Sequence, residues 1–238
     1  MSSPSRFLSG VGTVDTQYPL GQYPFPDPFH TSGSAVTTTG SSSYINDFNT
    51  LIGTDYTVSG TSSTFALGNG VGGVAVLTPG GTTTATAAYK PGTFVQFQAG
   101  NKLWFTVRFK ASAVGSTKSF YVGLRNGSSA TDGLWFSKAA SSTSVNLVST
   151  VGSTATTLVS GIFTAADDTW IEASIYFDGT DLLVYQEHVL FARVTAPTIG
   201  TSATTLTSVV LSPVFQITPT ATDTLTVDFV MVAQEVTR

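Results

Sequence analysis

The acidic residues of this sequence are few, and their spacing limits the chemistry they could perform. The only glutamates are Glu172, Glu187 and Glu235, and none of them has another acid two residues away. A glycoside hydrolase needs two carboxyl groups facing each other across a cleft. On a β-strand, side chains that share a face sit on alternate residues. Because no strand-like segment offers such a pair, the spacing argues against a hydrolase.

Nucleophilic and metal chemistry are also poorly supported. The histidines are His30 and His188, the chain has no cysteine, and no Gly-x-Ser-x-Gly elbow occurs. Thiol, serine-triad and zinc-thiolate sites are therefore not expected. His188 is predicted to lie in a strand beside Glu187. Asp178 and Asp181 could offer oxygen ligands to calcium, but an Asp-Gly turn explains them by geometry alone. We expect no catalytic residue, no metal and no cofactor.

Tryptophan side chains are the candidates for a carbohydrate site. Trp104 falls on the polar side of its segment, and Trp135 lies in another strand-like segment. An exposed tryptophan in either place would mark a glycan site or a protein interface. Trp170 opens a strand at a position that commonly packs against an opposite sheet. A carbohydrate-binding module is therefore kept as an alternative function.

Alternating apolar residues predict the strands that must position these groups. Segment 102–112 is the clearest strand, and segment 170–177 shows the same period of two. The residues predicted to face inward are Leu103, Phe105, Val107, Phe109, Ile171, Ala173, Ile175 and Phe177. Asp178-Gly179 turns the chain, and 182–194 is predicted to return as one strand. Asn126-Gly127 predicts a tight hairpin.

The spacing of these segments predicts the fold class. About a dozen short strands with turn residues between them, and no convincing helix, indicate an all-β, antiparallel two-sheet jelly-roll sandwich. The last segment, 224–236, alternates strongly and is predicted to be a central strand. Its residues expected on one side are Leu225, Val227, Phe229 and Met231.

An arm precedes this sandwich. Residues 1–30 mix proline with aromatic residues, which excludes a helix or a central strand and predicts an extended conformation. Such an arm needs a surface, either its own domain or a neighbouring chain. We predict an arm and hinge at 1–43 and a β-sandwich domain at 44–238. The predicted anchoring residues are Phe7, Leu8, Tyr18, Tyr23, Phe25, Pro26 and Phe29.

Charge and hydropathy restrict the partners. The net charge of −4 argues against nucleic acid, which requires clustered basic residues. No apolar run approaches the roughly 20 residues of a membrane span, and no signal peptide is evident. Residues 90–138 are basic and residues 139–238 are acidic. These two regions are either complementary between subunits or a scattered solvated surface.

Several segments together resemble a family of tailed-phage virion proteins of the capsid decoration, or cement, type. They are the arm at 5–13 and 19–28, segment 47–50, segment 94–112, segment 132–139 and the terminal 225–235. Segment 170–194 also resembles a hairpin of laminin G-like and concanavalin A-like sandwiches. The resemblance implies a non-enzymatic protein on the capsid surface, assembled in the host cytoplasm. It further implies binding to the major capsid protein through the arm, a homotrimer and possible contact with a surface glycan. A tail or baseplate component with the same fold is kept as another alternative.

Overall fold

A computed structural model describes residues 39–51, 54–69, 73–81, 85–92, 95–115, 117–218 and 223–237. All seven predicted anchoring residues of the arm, from Phe7 to Phe29, lie outside the described residues. The anchoring role of the arm therefore stays a prediction. The first strand begins at Thr39, so residues 39–43, predicted as hinge, are part of the sandwich.

Strands account for the regular structure of the described residues, which contain no helix. In chain order they are β1 (Thr39–Asn46), β2 (Thr57–Ser59), β3 (Thr64–Leu67), β4 (Ala75–Thr78), β5 (Thr86–Tyr89), β6 (Leu103–Ala111), β7 (Ser119–Arg125), β8 (Gly133–Lys138), β9 (Ser144–Val151), β10 (Thr154–Thr164), β11 (Ile171–Phe177), β12 (Leu182–Gln186), β13 (Val189–Val194), β14 (Ile199–Gly200), β15 (Leu206–Thr207), β16 (Ser212–Thr218) and β17 (Leu225–Thr237).

Two large antiparallel sheets pack face to face. Sheet A has the order β13-β12-β11-β6-β17-β4-β3, and β1 also pairs with β17. Sheet B has the order β10-β9-β8-β7-β16-β5-β2, and β14 and β15 form a small parallel pair. The all-β, antiparallel two-sheet sandwich predicted from the sequence is confirmed. The last strand, β17, is central in sheet A, as predicted.

The core lies between the inner faces of the two sheets. The apolar residues predicted on β6 and β11 all point into it, and Phe105, Val107 and Phe109 have no exposed surface. Opposite them, sheet B contributes Phe136 and Phe215. Each such side chain stabilises the fold by about 1.5–3 kcal/mol through burial. This packing fixes β6, β11 and β17, and therefore fixes the side chains on their outer faces.

The predicted facing of β17 is wrong in its second half. Leu225 and Val227 point into the core, but the pairing with β6 shifts register between Val227 and Phe229. This bulge turns Phe229 and Met231 to the outer face, where Phe229 pairs with Arg108. A bulge adds one residue to one strand, so the period of two fails at that point.

Two turns also differ from the sequence-based predictions. Asn126-Gly127 does not form a two-residue hairpin, because residues 126–132 connect β7 to β8. Segment 182–194 is two strands and not one. Glu187 and His188 form the turn between them with positive φ angles of 47° and 70°. His188 therefore lies in a hairpin turn and not in a strand.

Candidate functional site

Polar, charged and aromatic side chains gather on the outer face of sheet A. In the register of the central strands, Glu172 on β11 lies opposite Arg108 on β6, and Arg108 lies opposite Phe229 on β17. Asp228, at the bulge, bonds to Arg108. We call this region the sheet A site; its members are Arg108, Trp170, Glu172, Tyr176, Tyr185, His188 and Asp228.

The local sequence explains why these side chains share a face. On β11, Glu172, Ser174 and Tyr176 alternate with core residues, so they all point outward. The hairpin that follows is held by Asp178, whose Oδ1 accepts backbone N–H groups of Thr180 and Asp181 at 2.8 and 2.7 Å. The β12 and β13 strands then bring Tyr185 and His188 beside β11.

Two charge-assisted hydrogen bonds form the centre of the site. Arg108 Nη1 donates to Asp228 Oδ2 at 2.8 Å, and His188 Nε2 lies 2.9 Å from Glu172 Oε1. The hydrogen bond that His188 donates to Glu172 is the main cause that raises the pKa of His188. The Arg108, Glu172 and His188 side chains remain 32%, 20% and 50% exposed, so a ligand can reach them.

Aromatic rings border this centre. Trp104 and Tyr176 stack with centroids 5.2 Å apart and planes 12° apart. Burial, with Asp178 as the second cause, raises the pKa of Tyr176 to about 12. Burial also raises the pKa of Tyr185. Both phenols therefore keep their protons at neutral pH and can donate hydrogen bonds.

Cations cover the ring of Trp170 at the far end of the site. The Arg108 guanidinium carbon lies 4.9 Å and the Lys110 ammonium 5.3 Å from the ring centroid. Lys110 also pairs with Asp168 at 3.2 Å. Trp170 faces outward, so the expectation that it packs against the opposite sheet is wrong. Cation–π contacts of this kind hold the long basic side chains over the sheet.

The basic middle and the acidic C-terminal region pair within one chain. In the part of the chain that the structure describes, the salt bridges between them are Lys102–Glu235, Arg108–Asp228, Lys110–Asp168 and Lys118–Asp223. From the sequence, the basic and acidic regions could have been complementary between subunits. The bridges show that these basic and acidic residues pair with one another within one chain. Three of them lie along the outer face of sheet A or its end, which makes this face mixed in charge.

Sheet B carries a different aromatic cluster, built around Trp135. Its indole stacks on Tyr121 with centroids 5.0 Å apart and planes 26° apart. A Cβ atom on Gly123 or Gly133 would collide with Trp135, so glycine is required beneath the ring. Arg125 is 3% exposed and donates to Tyr121, to Gln216 and to the Gly127 carbonyl. Tyr121 and Arg125 therefore donate within the cluster, and Trp135 is 7% exposed, which indicates a packing role.

The structure does not bring the two candidate tryptophans together. Trp104 lies on the outer face of sheet A, as its alternation predicts, and Trp135 lies on the outer face of sheet B. Their exposed fractions are 4% and 7%, so neither indole offers an open ring face. Tyr176 and Tyr185, which the sequence analysis did not select, are the partly exposed aromatic residues beside the charged centre.

The Asp178-Gly179 turn shows no sign of a calcium site. Asp181 bonds to Arg193 and to the Ala196 amide, and these contacts lower the pKa of Asp181. Across the described residues, no group of three or more histidine, aspartate or glutamate side chains could hold a metal ion. Within the same residues no helix has the length and apolar character of a membrane span.

A depression of about 390 Å³ lies where the loops that follow β6, β8 and β10 meet. Val114, Gly115, Ser141, Ser142, Thr143 and Asp167 line it. Asp167 belongs to the turn that also carries Asp168, the partner of Lys110. Its Oδ1 accepts the Val114 amide at 2.6 Å. The lining of the depression therefore shares a loop with the partner of Lys110 and includes no member of the sheet A site.

Sequence reasoning missed one pair of carboxylates because they lie on different strands. Glu172 is on β11 and Asp228 on β17, with β6 between them. Two interstrand spacings place their backbones roughly 10 Å apart on one face. The search for acids within a strand could not find this pair. Only the strand order, which joins segments far apart in sequence, reveals it.

Known structures share this fold. The chain is similar to an endo-1,3-beta-glucanase from Streptomyces sioyaensis (12% identity, TM-score 0.55), covering 85% of this chain and 99% of that one. It is similar to a Bacillus licheniformis beta-glucanase (10%, TM-score 0.55; 83% and 99% covered). It is also similar to the globular domain of T. cruzi calreticulin (10%, TM-score 0.56; 79% and 86% covered). No protein-family model and no curated protein matches the chain.

These similarities show the fold, a concanavalin A-like jelly-roll sandwich, and so confirm that part of the sequence-based resemblance. They contradict the expectation that the protein is not an enzyme, because the same fold is found in several glycoside hydrolases. That expectation rested on the spacing of the acidic residues, which places no two of them on alternate positions of one strand, and on the resemblance to virion proteins. The capsid decoration role is not shown by them.

Proposed function

We propose that this protein binds a carbohydrate polymer on the outer face of sheet A. The observation that carries the proposal is the sheet A site itself, where the partly exposed Arg108, Glu172 and His188 lie beside two partly exposed tyrosines, Tyr176 and Tyr185. The fold supports the proposal, because the similar glucanases act on glucans.

The chemistry of the site suits sugar hydroxyl groups. A hydroxyl both donates and accepts, so it can bond to the carboxylate of Glu172 and to the guanidinium of Arg108. The protonated phenols of Tyr176 and Tyr185 add donors, and their rings add apolar surface. Binding sites for small polar ligands commonly combine these two features.

The balance of charge favours a neutral polysaccharide. Arg108 pairs with Asp228 and Glu172 pairs with His188, so neither sign of charge dominates the centre. A polyanionic sugar would require an excess of cations. β-1,3-Glucan and mixed-linkage β-glucan are therefore the first ligands to test.

Affinity electrophoresis and calorimetry on these glucans would test the proposal. Charged hydrogen bonds contribute about 1.5–3 kcal/mol, so Glu172→Gln or Arg108→Gln should weaken binding about 10- to 100-fold. Thr156→Ala, on the exposed strand β10 of sheet B, is the matched control and should bind normally. Absence of binding by the wild-type protein to any polysaccharide in a broad panel would refute the proposal.

Hydrolysis of the bound glycan is a second candidate function. It is favoured because Glu172 and Asp228 lie on the same outer face of sheet A. In an inverting mechanism, one carboxyl protonates the leaving oxygen while the other takes a proton from the attacking water. The bond between Glu172 and His188 places a proton donor at one of these carboxylates. Release of new reducing ends by the wild type, lost in Glu172→Gln and Asp228→Asn, would support hydrolysis. Binding without release would refute it.

The virion role is a further part of the proposal, supported by the resemblance to tailed-phage decoration proteins. In this role, the arm at residues 1–30 anchors the sandwich to the major capsid protein and the sheet A site faces outward. Purified protein should saturate heads that lack it at a fixed number of copies. Deletion of residues 1–30 should abolish attachment and leave glycan binding intact. Attachment that survives the deletion would refute the anchoring role.

A further inference from the structure

An exposed apolar patch lies at one end of sheet A. Three consecutive residues of β13, Val189, Leu190 and Phe191, are 68%, 50% and 43% exposed. Among the described residues, the only other exposed large apolar side chain is Leu67, at 48%. Apolar surface concentrated in this way usually marks an interaction site.

The backbone of the same strand is also open on one side. β13 ends the strand order of sheet A and pairs with β12 alone among the described strands. Natural proteins usually protect such an edge with charges, proline or a covering segment. Here the edge carries apolar residues, although a bulge between the Leu190 and Ala192 pairs interrupts its ladder. The bulge limits backbone pairing, so side chains must supply most of any contact.

Opposite charges flank this patch symmetrically. Glu187 lies three residues before Leu190, and Arg193 lies three residues after it. Both are exposed, and the Arg193 side chain is 59% exposed. Arg193 bonds to Asp181 through Nε and Nη2. A guanidinium has five N–H donors, so donors remain for a second carboxylate.

We propose that two copies of this protein associate through this patch about a two-fold axis at Leu190. In an antiparallel arrangement centred there, the Glu187 end of the patch in each copy lies beside the Arg193 end in the other. The apolar side chains of residues 189–191 of the two copies then pack against one another. A two-fold interface must be complementary to itself, and this order of residues meets that requirement.

The remaining charged groups near the patch do not oppose the arrangement. His188 bonds to Glu172 of its own chain, and Asp181 bonds to Arg193. The patch is smaller than the interface of a stable dimer, which buries about 1,200–2,000 Å². The dimer should therefore be weak, dependent on concentration and weakened by salt. The inference does not depend on the carbohydrate proposal.

Sedimentation velocity over a range of protein concentrations tests this inference. The full-length wild type should shift from monomer to dimer as concentration rises. Leu190→Asn with Phe191→Ser should shift the dissociation constant at least about tenfold, the equivalent of about 1.4 kcal/mol. Because both residues are exposed, the double variant should fold normally by circular dichroism. Leu67→Ser, at the opposite end of the sheet, is the control and should dimerise like the wild type.

A second variant tests the charge pairing. Glu187→Lys places a cation beside the Arg193 end of the other copy and should weaken the dimer, while high salt should narrow the difference from the wild type. A monomer at every concentration would overturn the inference, as would a dimer insensitive to the Leu190 and Phe191 changes. A trimer, expected from the resemblance to decoration proteins, would also overturn it.

Discussion

The hydrogen bond between Glu172 and His188 allows a direct test of the sheet A site in solution. Because Glu172 raises the pKa of His188, Glu172→Gln should lower that pKa toward its ordinary value. The histidines are His30 and His188, so His30→Gln leaves one imidazole to follow by NMR. Glu187→Gln is the matched control, because Glu187 is the weakest cause of the shift and should change it less.

The same contact predicts how stability changes with pH. A histidine whose pKa is raised in the folded state stabilises the fold below its unfolded pKa, about 6.5. That contribution is lost as pH rises through the folded pKa. His188 is 50% exposed, so solvent screening limits the pair to about 0.2–1 kcal/mol. This is the coupling expected at about pH 5, and it should approach zero at about pH 9.

A double-mutant cycle with Glu172→Gln and His188→Gln, followed by urea unfolding at both pH values, measures this coupling. Equal coupling at both pH values would refute the ionic character of the contact. A His188 titration unchanged in Glu172→Gln would show that the two side chains do not meet in solution. Either result would remove one half of the charged centre from the proposed ligand site.

Three further substitutions test the packing that supports the site. Gly123→Ala should destabilise the protein by about 1–3 kcal/mol, because its Cβ would collide with Trp135. Gly81→Ala is the control and should change the melting temperature far less, because a Cβ there meets no atom within 4 Å. Thr150→Val should stabilise the protein by about 1 kcal/mol in urea unfolding, because its buried hydroxyl has no hydrogen-bond partner among the described residues. A loss of stability would show that the hydroxyl has a partner. Phe105→Ala should cost about 3–5 kcal/mol, and a loss under 1 kcal/mol by the same assay would contradict its place in the core.

The amino-acid sequence by itself determined the fold class and the facing of the regular strands. On β6 and β11, apolar and polar residues alternate apart from Trp104, and the structure places the alternating apolar residues in the core. This works because side chains of a strand alternate between faces whatever the strand pairs with. For the same reason the sequence placed Trp104 and Arg108 on the outer side of their strand.

Irregular backbone was the first feature that only the tertiary structure decided. The bulge at Asp228 reverses the facing of Phe229, and the turn at Glu187 and His188 divides one expected strand into two. Both depend on how neighbouring strands pair, and pairing is a contact between distant segments. Local periodicity holds no information about it.

The candidate site was the second feature that only the tertiary structure decided. Glu172, Arg108 and Asp228 come from three segments of the chain, and the order β11-β6-β17 brings them together. Nothing in the spacing within any one segment indicates that order. The burial of Trp104 and Trp135 was likewise set by Tyr176 and Tyr121, which reach them from adjacent strands. The sequence therefore determined which side chains face outward, and strand order determined which of them meet.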